Sequence, residues 1–205
     1  MSSSSLQSKH YSVWVRALRY SQLVAPVLTF CIIKLIGRIT TTNKPHLSPD
    51  HQYVFISNHP SYYDAPGAFS VFSARELSRA TPIRFLTAGR IYYSFLRPLL
   101  AMCGCYPTKK ISDPAYSAID TTVALLRNKQ NIYICPEGRR VHDPSKSEPR
   151  DGIIRIIETY GKPVTVILIH IQWKRYGWRP HLILSFGECN DTSSITKIMD
   201  TLYSL

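Results

Sequence analysis

The stretch Tyr53-Val54-Phe55-Ile56-Ser57-Asn58-His59-Pro60-Ser61-Tyr62-Tyr63-Asp64 changes from wholly apolar to polar within a few residues. The apolar run predicts a buried strand, and the polar cluster after it marks the turn from that strand into a helix. Four residues separate His59 from Asp64, so across such a turn the carboxylate can reach the imidazole and fix its tautomer. His59 is therefore a candidate general base, with Asp64 as its orienting acid.

The same residues also have a purely structural interpretation. Asp64 is a good helix N-cap, Pro66 suits a first helical turn, and Ser61 followed by Asp64 is similar to a capping box. No serine or cysteine with nucleophile-elbow spacing accompanies the pair. If the site is catalytic, its nucleophile is expected to be a hydroxyl that the substrate brings.

Length and charge limit the classes of protein. A chain of 205 residues is enough for one α/β domain with a full core. Its 25 lysines and arginines against 13 acids give a net charge of +12, which indicates a polyanionic partner. The cations are spread from Arg16 to Lys197 rather than clustered with stacking aromatics, so no nucleic-acid partner is expected. Five cysteines, an odd number, indicate reduced thiols in a cytosolic setting.

Residues 1–40 are predicted to form a membrane-associating helical segment. The uncharged stretch from Tyr20 to Ile33 is 14 residues long, shorter than the roughly 20 residues that span a bilayer, and Pro26 would kink it. An apolar, aromatic face bordered by arginines favours an amphipathic helix or helical hairpin lying in the membrane interface, monotopic and on the cytoplasmic face. The alternative is an ordinary core helix. Residues 41–205 would form the functional domain, after a linker at 40–50.

Strand and helix patterns alternate along that domain. Apolar runs predict strands at 52–57, 83–87, 131–135, 164–171 and 181–186. Helical periodicity and stop signals predict helices at 65–75, after Gly89, and at 114–127, 152–160 and around 195–202. This alternation predicts a single α/β domain with a mixed, largely parallel sheet flanked by helices. If the strands at 52–57 and 131–135 are parallel, the polar segments after them meet at one edge of the sheet.

A second polar segment, Pro136-Glu137-Gly138-Arg139-Arg140, follows the strand at 131–135. Its two guanidinium groups could hold a phosphate, and Glu137 could orient an arginine or bond a hydroxyl. Lys109 and Lys110 form another cationic turn. Each segment alone could be a solvated surface turn. Together with His59 they predict a reaction on a phosphate-bearing substrate that has a free hydroxyl.

These residues resemble the four motifs of the lysophospholipid acyltransferase family, typified by 1-acylglycerol-3-phosphate O-acyltransferase. The first motif is met by Asn58, His59 and Asp64, and the second corresponds to the segment from Gly104 to Lys110. In the third, Cys135 and Arg139 replace the usual phenylalanine and threonine. The fourth begins at Pro163, with Val166 in place of its second proline. The resemblance covers roughly residues 50–172.

The resemblance implies acyl transfer from a thioester, acyl-CoA or acyl-carrier protein, to a lysophospholipid hydroxyl. The preferred acceptor would be 1-acylglycerol-3-phosphate, giving phosphatidic acid, with His59 as base and Asp64 orienting it. Substrate-binding residues would be Asn58, Lys110, Glu137, Gly138, Arg139 and Arg140. No metal or cofactor beyond the acyl donor is expected, and an anionic membrane surface is a further partner. Two alternatives remain: another acceptor (glycerol-3-phosphate, another lysophospholipid or an amino-lipid), or a non-catalytic lipid-surface protein.

Overall fold

A central sheet carries the predicted strands. Within residues 3–141 and 143–205, the part of the chain that this computed structural model describes, seven strands form one sheet. They are β1 (Arg38–Thr42), β2 (Tyr53–Ser57), β3 (Ile83–Thr87), β4 (Cys105–Pro107), β5 (Asn131–Ile134), β6 (Thr165–Tyr176) and β7 (Arg179–Glu188). Their spatial order is β1-β7-β6-β2-β5-β3-β4.

Strand direction in this sheet is mostly parallel. β6 and β7 form an antiparallel hairpin, whereas the other neighbouring pairs run parallel. β2 lies between β6 and β5, and all five of its residues are buried. A strand covered on both faces needs apolar side chains on both sides, which explains the unbroken apolar run that predicted it. The mixed, largely parallel α/β sheet is thus confirmed.

Two layers of helices cover the faces of the sheet. The helices are α1 (Ser3–Ile36), α2 (Asp64–Phe69), α3 (Ala74–Ala80), α4 (Gly89–Tyr92), α5 (Arg97–Met102), α6 (Ala118–Arg127), α7 (Gly152–Tyr160) and α8 (Ile195–Ser204). Tyr53 and Phe55 point into the core beneath α1–α3, and Val54 and Ile56 into the core beneath α6–α8. This alternation follows from the two-residue period of a strand.

The N-terminal segment is one long helix rather than a helical hairpin. α1 continues through Pro26 and ends at Ile36. The predicted linker at 40–50 is partly wrong, because Arg38–Thr42 forms β1 and pairs with β7. Its three threonines suit a half-exposed edge strand. Residues 1 and 2 of the predicted segment 1–40 lie outside the described residues, as does His142 of the predicted loop at 142–150.

Three predicted helices have different bounds in the structure. The helical stretch expected after Gly89 is two short helices, α4 and α5. The helix expected at 65–75 is two helices, α2 and α3, because Ser73 forms a capping box with Glu76 and starts a new helix. The helix expected from Pro114 begins at Ala118. Its N-cap is Ser117, whose side chain accepts a hydrogen bond from the Asp120 amide.

Candidate active site

The two polar segments meet at one edge of the sheet, as expected from the sequence. β2 and β5 are adjacent and parallel, with Ile56 opposite Ile134. His59 therefore follows the end of one strand and Glu137 the end of its neighbour. The loops are joined at His59: its amide donates to Glu137 Oε2 at 2.8 Å, and its carbonyl accepts from the Val141 amide at 2.9 Å. Both backbone groups of the candidate base are thus fixed by the neighbouring loop.

Asp64 holds the His59 ring. The distance between His59 Nδ1 and Asp64 Oδ2 is 2.8 Å. The carboxylate also accepts from the Ser61 amide at 2.8 Å and, through Oδ1, from Trp173 Nε1 at 3.3 Å. Asp64 is buried, so these donors fix its position. Because Nδ1 faces a carboxylate, Nδ1 carries the proton and Nε2 is the nitrogen that can accept one.

The prediction that Asp64 is the N-cap of the helix, in a capping box with Ser61, is wrong. The N-cap of α2 is Tyr63, which makes no side-chain capping bond, and Asp64 is the first residue of the helix. The Asp64 carboxylate accepts a hydrogen bond from the Ser61 amide. The Ser61 hydroxyl accepts from the Tyr63 amide instead of the Asp64 amide. The turn that begins the helix therefore brings the carboxylate back to His59.

Glu137 occupies a different environment from the one predicted. It is buried, and besides the His59 amide its carboxylate accepts from Ser147 Oγ at 3.1 Å and from the Tyr203 hydroxyl. Those donors come from the β2 turn, the loop before α7 and α8. The structure therefore places Glu137 as a clamp between three elements rather than as a group that faces a substrate.

Asn58 and Gly138 determine the backbone conformation around the site. The Asn58 amide is buried and bonds both backbone groups of Ile171, at 2.9 Å to the carbonyl and 2.7 Å from the amide. This ties the β2 turn to β6. Gly138 has φ +61, the left-handed conformation that a glycine adopts without strain. Gly138 lines the cavity, whereas Asn58 fixes the turn that carries His59.

The predicted cations differ in where they lie. Arg139 and Arg140 line a cavity beside His59; the Arg140 guanidinium lies 3.7 Å from the centre of the Tyr62 ring, and Arg139 pairs with Glu148 at 3.1 Å. Arg90 and Arg150 line the same cavity. The sequence did not single out these two residues, because neither belongs to a recognisable motif.

Lys110 lies apart from that lining. Its ammonium sits 4.8 Å from the centre of the Tyr116 ring and is exposed to solvent. From the segment Gly104 to Lys110, Cys105 and Thr108 contribute to the cavity wall. The structure therefore does not bring Lys110 together with His59 and the arginines.

The cavity extends from His59 into an apolar interior. Its volume is about 980 Å³, at the upper end of the usual range of about 300–1,000 Å³ for ligand pockets. Beyond the polar mouth its walls come from the two helices α1 and α5, the strand β3 and the core. They include Ala25, Pro26, Phe69, Phe85, Leu99 and Leu100. A polar entrance and an apolar interior suit an amphiphilic ligand.

Gln22 attaches α1 to this cavity. Its side-chain oxygen accepts from the Ile83 amide at 2.9 Å, and its nitrogen donates to the carbonyls of Ile83 and, at 3.1 Å, Cys103. Ser21 donates to the Met102 carbonyl at 2.6 Å. The N-terminal helix is therefore a wall of the cavity and not a detached anchor.

Cys135 follows β5 and lies directly before Pro136 and Glu137. It lines the cavity, and its sulfur lies 3.4 Å from Ser57 Oγ. Burial raises the pKa of the Cys135 thiol to about 12. A thiol with this pKa is protonated at neutral pH and is a poor nucleophile.

The site contains a histidine just beyond the end of a central strand, held by a buried carboxylate, beside arginines and a deep apolar cavity. This arrangement is suited to moving an apolar group onto a polar acceptor. A family model described as Acyltransferase matches residues 38–171, more than half of the chain. The chain therefore belongs to this acyltransferase family.

Among solved structures, the chain is similar to the 1-acyl-sn-glycerophosphate (LPA) acyltransferase PlsC from Thermotoga maritima. The TM-score is 0.59 at 14% sequence identity, over 84% of this chain and 70% of that one. At this identity the likeness concerns the fold. No curated protein matches the sequence.

Proposed function

We propose that this protein transfers a fatty acyl group from acyl-CoA or acyl-carrier protein to the hydroxyl of 1-acylglycerol-3-phosphate, giving phosphatidic acid. The observation that carries the proposal is the dyad of His59 Nδ1 and Asp64 Oδ2, 2.8 Å apart, at the polar mouth of an apolar cavity. The same chemistry on glycerol-3-phosphate, another lysophospholipid or an amino-lipid is the alternative.

The reaction needs one base that later acts as an acid. His59 Nε2 takes the proton of the acceptor hydroxyl while its oxygen attacks the thioester carbonyl. The tetrahedral intermediate collapses, so that the carbon–oxygen bond remains and the carbon–sulfur bond breaks. The proton on Nε2 passes to the departing thiolate, giving the free thiol and neutral His59. Asp64 stabilises the imidazolium that exists between these steps.

The arginines at the cavity mouth favour a phosphate-bearing acceptor. Arg140 stacks on Tyr62, and both residues line the cavity together with His59. A guanidinium fixed in this way can hold phosphate oxygens bidentately. Holding the head group positions the glycerol hydroxyl near Nε2, and orientation of this kind can lower a barrier by several kcal/mol. Acyl chains would occupy the apolar interior.

We propose that α1 associates with the cytoplasmic face of a membrane without spanning it. The exposure pattern of the two faces of the helix supports the association itself. One face packs on the domain and carries Leu18, Gln22, Pro26, Thr29 and Ile33. The other is exposed yet more apolar, and carries Tyr20, Val24, Leu28, Ile32 and Leu35. Arg16–Ile36 is long and apolar enough to cross a membrane by length and composition. However, α1 packs on the domain from Leu18 to Ile33, which is about 22 Å of helix at 1.5 Å per residue. Because one side of the helix is covered by the domain over this length, a helix lying in the membrane interface is favoured over one that crosses the membrane.

Release of free thiol from acyl-CoA, with and without lysophosphatidate, tests the reaction. We expect His59→Ala to lower kcat by about 10²–10⁴-fold, the usual contribution of a general base. His51→Ala, a histidine at the opposite end of β2, is the matched control and should keep wild-type turnover. If His59→Ala turns over like wild type, His59 is not the base. Absence of acceptor-dependent thiol release from the wild type would favour the non-catalytic lipid-surface alternative.

Acceptor binding needs a separate variant. We expect Arg140→Ala to raise the KM for lysophosphatidate by about 10–100-fold, since a hydrogen bond to a charged group contributes about 1.5–3 kcal/mol. The rate at saturating acceptor should change less. An acceptor panel that includes glycerol-3-phosphate and an amino-lipid then identifies the preferred head group. An unchanged KM for every phosphate-bearing acceptor would exclude Arg140 as the phosphate ligand.

A further inference from the structure

The turn of the β6–β7 hairpin carries an exposed tryptophan. We call residues 174–179 the hairpin tip. Tyr176 and Arg179 are the last pair of the two strands, and Gly177 makes the turn in the left-handed conformation with φ +64. Trp178 is 75% exposed. Tryptophan concentrates at membrane–water interfaces, where its ring is buried while its N–H stays hydrated.

The hairpin that carries this tryptophan is positively charged. Lys174, Arg175 and Arg179 lie on the hairpin, and residues 172–184 contain no acid. The Arg179 guanidinium lies 4.9 Å from the centre of the Trp178 ring. An exposed aromatic ring on a cationic hairpin is complementary to a membrane interface with anionic head groups. An uncharged surface would leave this charge without a counterpart.

The hairpin tip adjoins the end of α1. Gly37 follows the last residue of α1 and packs so closely on Pro180 that a Cβ would collide with the Pro180 carbonyl. Arg38 then pairs with His181. Leu35, the last residue of the exposed apolar face of α1, is 85% exposed here. The tip and the apolar face of α1 are therefore neighbours at the surface.

From these observations we propose that the hairpin tip is a second membrane contact, at which Trp178 enters the interface and the cations bind anionic lipid. The proposal rests on the membrane association of α1 proposed above. An acidic protein could match the charge, but an exposed tryptophan beside an exposed apolar helix face favours a bilayer. α1 would then supply apolar contact, and the hairpin tip would supply selectivity for anionic lipid.

Fluorescence of the full chain tests where Trp178 lies. The probes are vesicles of phosphatidylcholine and vesicles of equal parts phosphatidylcholine and phosphatidylglycerol, each with and without brominated acyl chains. The difference between wild-type and Trp178→Phe emission isolates Trp178 from Trp14 and Trp173. We expect this difference to shift to shorter wavelength and to be quenched by bromine on the mixed vesicles. If the protein binds the mixed vesicles and the Trp178 emission does neither, the hairpin proposal is overturned while the role of α1 stands.

Vesicle sedimentation tests the charge. A cation near an anionic surface contributes about fivefold in binding, so Arg179→Gln should weaken binding to the mixed vesicles by about that factor and leave phosphatidylcholine binding unchanged. Arg127→Gln, an exposed arginine of α6 on the other face of the sheet, is the matched control and should bind like wild type. Equal losses in both variants would show a general charge effect and refute the proposal.

Two further outcomes distinguish the hairpin contact from the membrane role of α1 and from binding of an acidic protein. If the wild type binds neither vesicle, both the hairpin contact and the proposed membrane role of α1 fail. If Arg179→Gln binds vesicles normally but slows transfer from acyl-carrier protein and not from acyl-CoA, the hairpin tip contacts an acidic protein instead of lipid. Because Trp178 and Arg179 are exposed on a turn, neither variant should change the melting temperature, which serves as the folding check.

Discussion

Tyr203 of α8 contacts Glu137 in the loop after β5, beside the proposed base His59. The Tyr203 hydroxyl donates to Glu137, whose carboxylate also accepts from the His59 amide at 2.8 Å. Burial and the neighbouring Glu137 raise the pKa of Tyr203, so it stays a protonated donor throughout the assay range. Tyr203→Phe removes this donor and leaves Glu137 with Ser147 and the His59 amide. A hydrogen bond to a buried charged group contributes about 1.5–3 kcal/mol, which is the expected loss in the free energy of unfolding.

Loss of the contact between Tyr203 and Glu137 should also lower the catalytic rate. Tyr203 acts through Glu137 on the backbone of His59, so displacement of the base should lower kcat while changing the KM of either substrate less. If half of the lost free energy appears in the barrier, kcat falls about 4–13-fold, since 1.36 kcal/mol corresponds to tenfold. Tyr160→Phe, a partly buried tyrosine packed in the same core as α8, is the matched control and should keep wild-type kcat.

A double-mutant cycle decides whether Glu137 carries the effect. Denaturant unfolding and kcat are measured for Tyr203→Phe, Glu137→Gln and the double variant. If both act through one carboxylate, the loss from Tyr203→Phe shrinks by about 1 kcal/mol or more in the Glu137→Gln background. Additive losses, or a raised acceptor KM at unchanged kcat, would refute the clamp.

Three further predictions concern other groups. Cys135→Ala should keep kcat within about twofold, because a thiol whose pKa is about 12 is not the nucleophile; loss of thiol release in this variant would contradict a substrate hydroxyl as nucleophile. Burial lowers the pKa of His170 below 6.5, so its neutral form is favoured in the fold and stability falls as pH drops below about 6.5. His170→Phe should therefore show a smaller fall in melting temperature between pH 7 and pH 5 than wild type, and an equal fall would exclude His170 as its source. Gly104 has φ +92 and a Cβ there would lie 2.5 Å from Gln22 Nε2, so Gly104→Ala should lose about 1–3 kcal/mol of stability, whereas Gly152→Ala, with no atom within 4 Å of its Cβ, should not.

Local sequence patterns predicted which strands and turns position the site. The unbroken apolar run of β2 indicated a buried strand, and the polar residues after β2 and β5 indicated one edge of a parallel sheet. Both follow from short-range physics, because a strand buried on both sides must be apolar throughout. The spacing of His59 and Asp64 predicted a contact across a tight turn, and the structure has it at 2.8 Å.

Contacts between residues far apart in the chain could not be predicted from the sequence. Glu137 stands beside two arginines, so the sequence favoured a substrate contact; its donor Tyr203 is 66 residues away. Trp173, which bonds Asp64, is 109 residues from it. These neighbours are set by the packing of α8 and β6, and no local periodicity encodes them. For the same reason Lys110 was grouped with the arginines although its ammonium lies over Tyr116.

The position of α1 would link the proposed membrane contact to the proposed acyl transfer. Gln22 fastens this helix to the start of β3 and the end of α5, and the neighbouring Ala25 and Pro26 are part of the cavity wall. The opposite face of the same helix carries the exposed apolar side chains proposed to contact lipid. A helix has a diameter of about 10 Å, so an acyl chain leaving the bilayer would need to pass only one helix to enter the cavity. The buried amide of Gln22 is then the contact that keeps this wall in place, because removing it would leave the Ile83 backbone groups without these partners at the edge of the cavity.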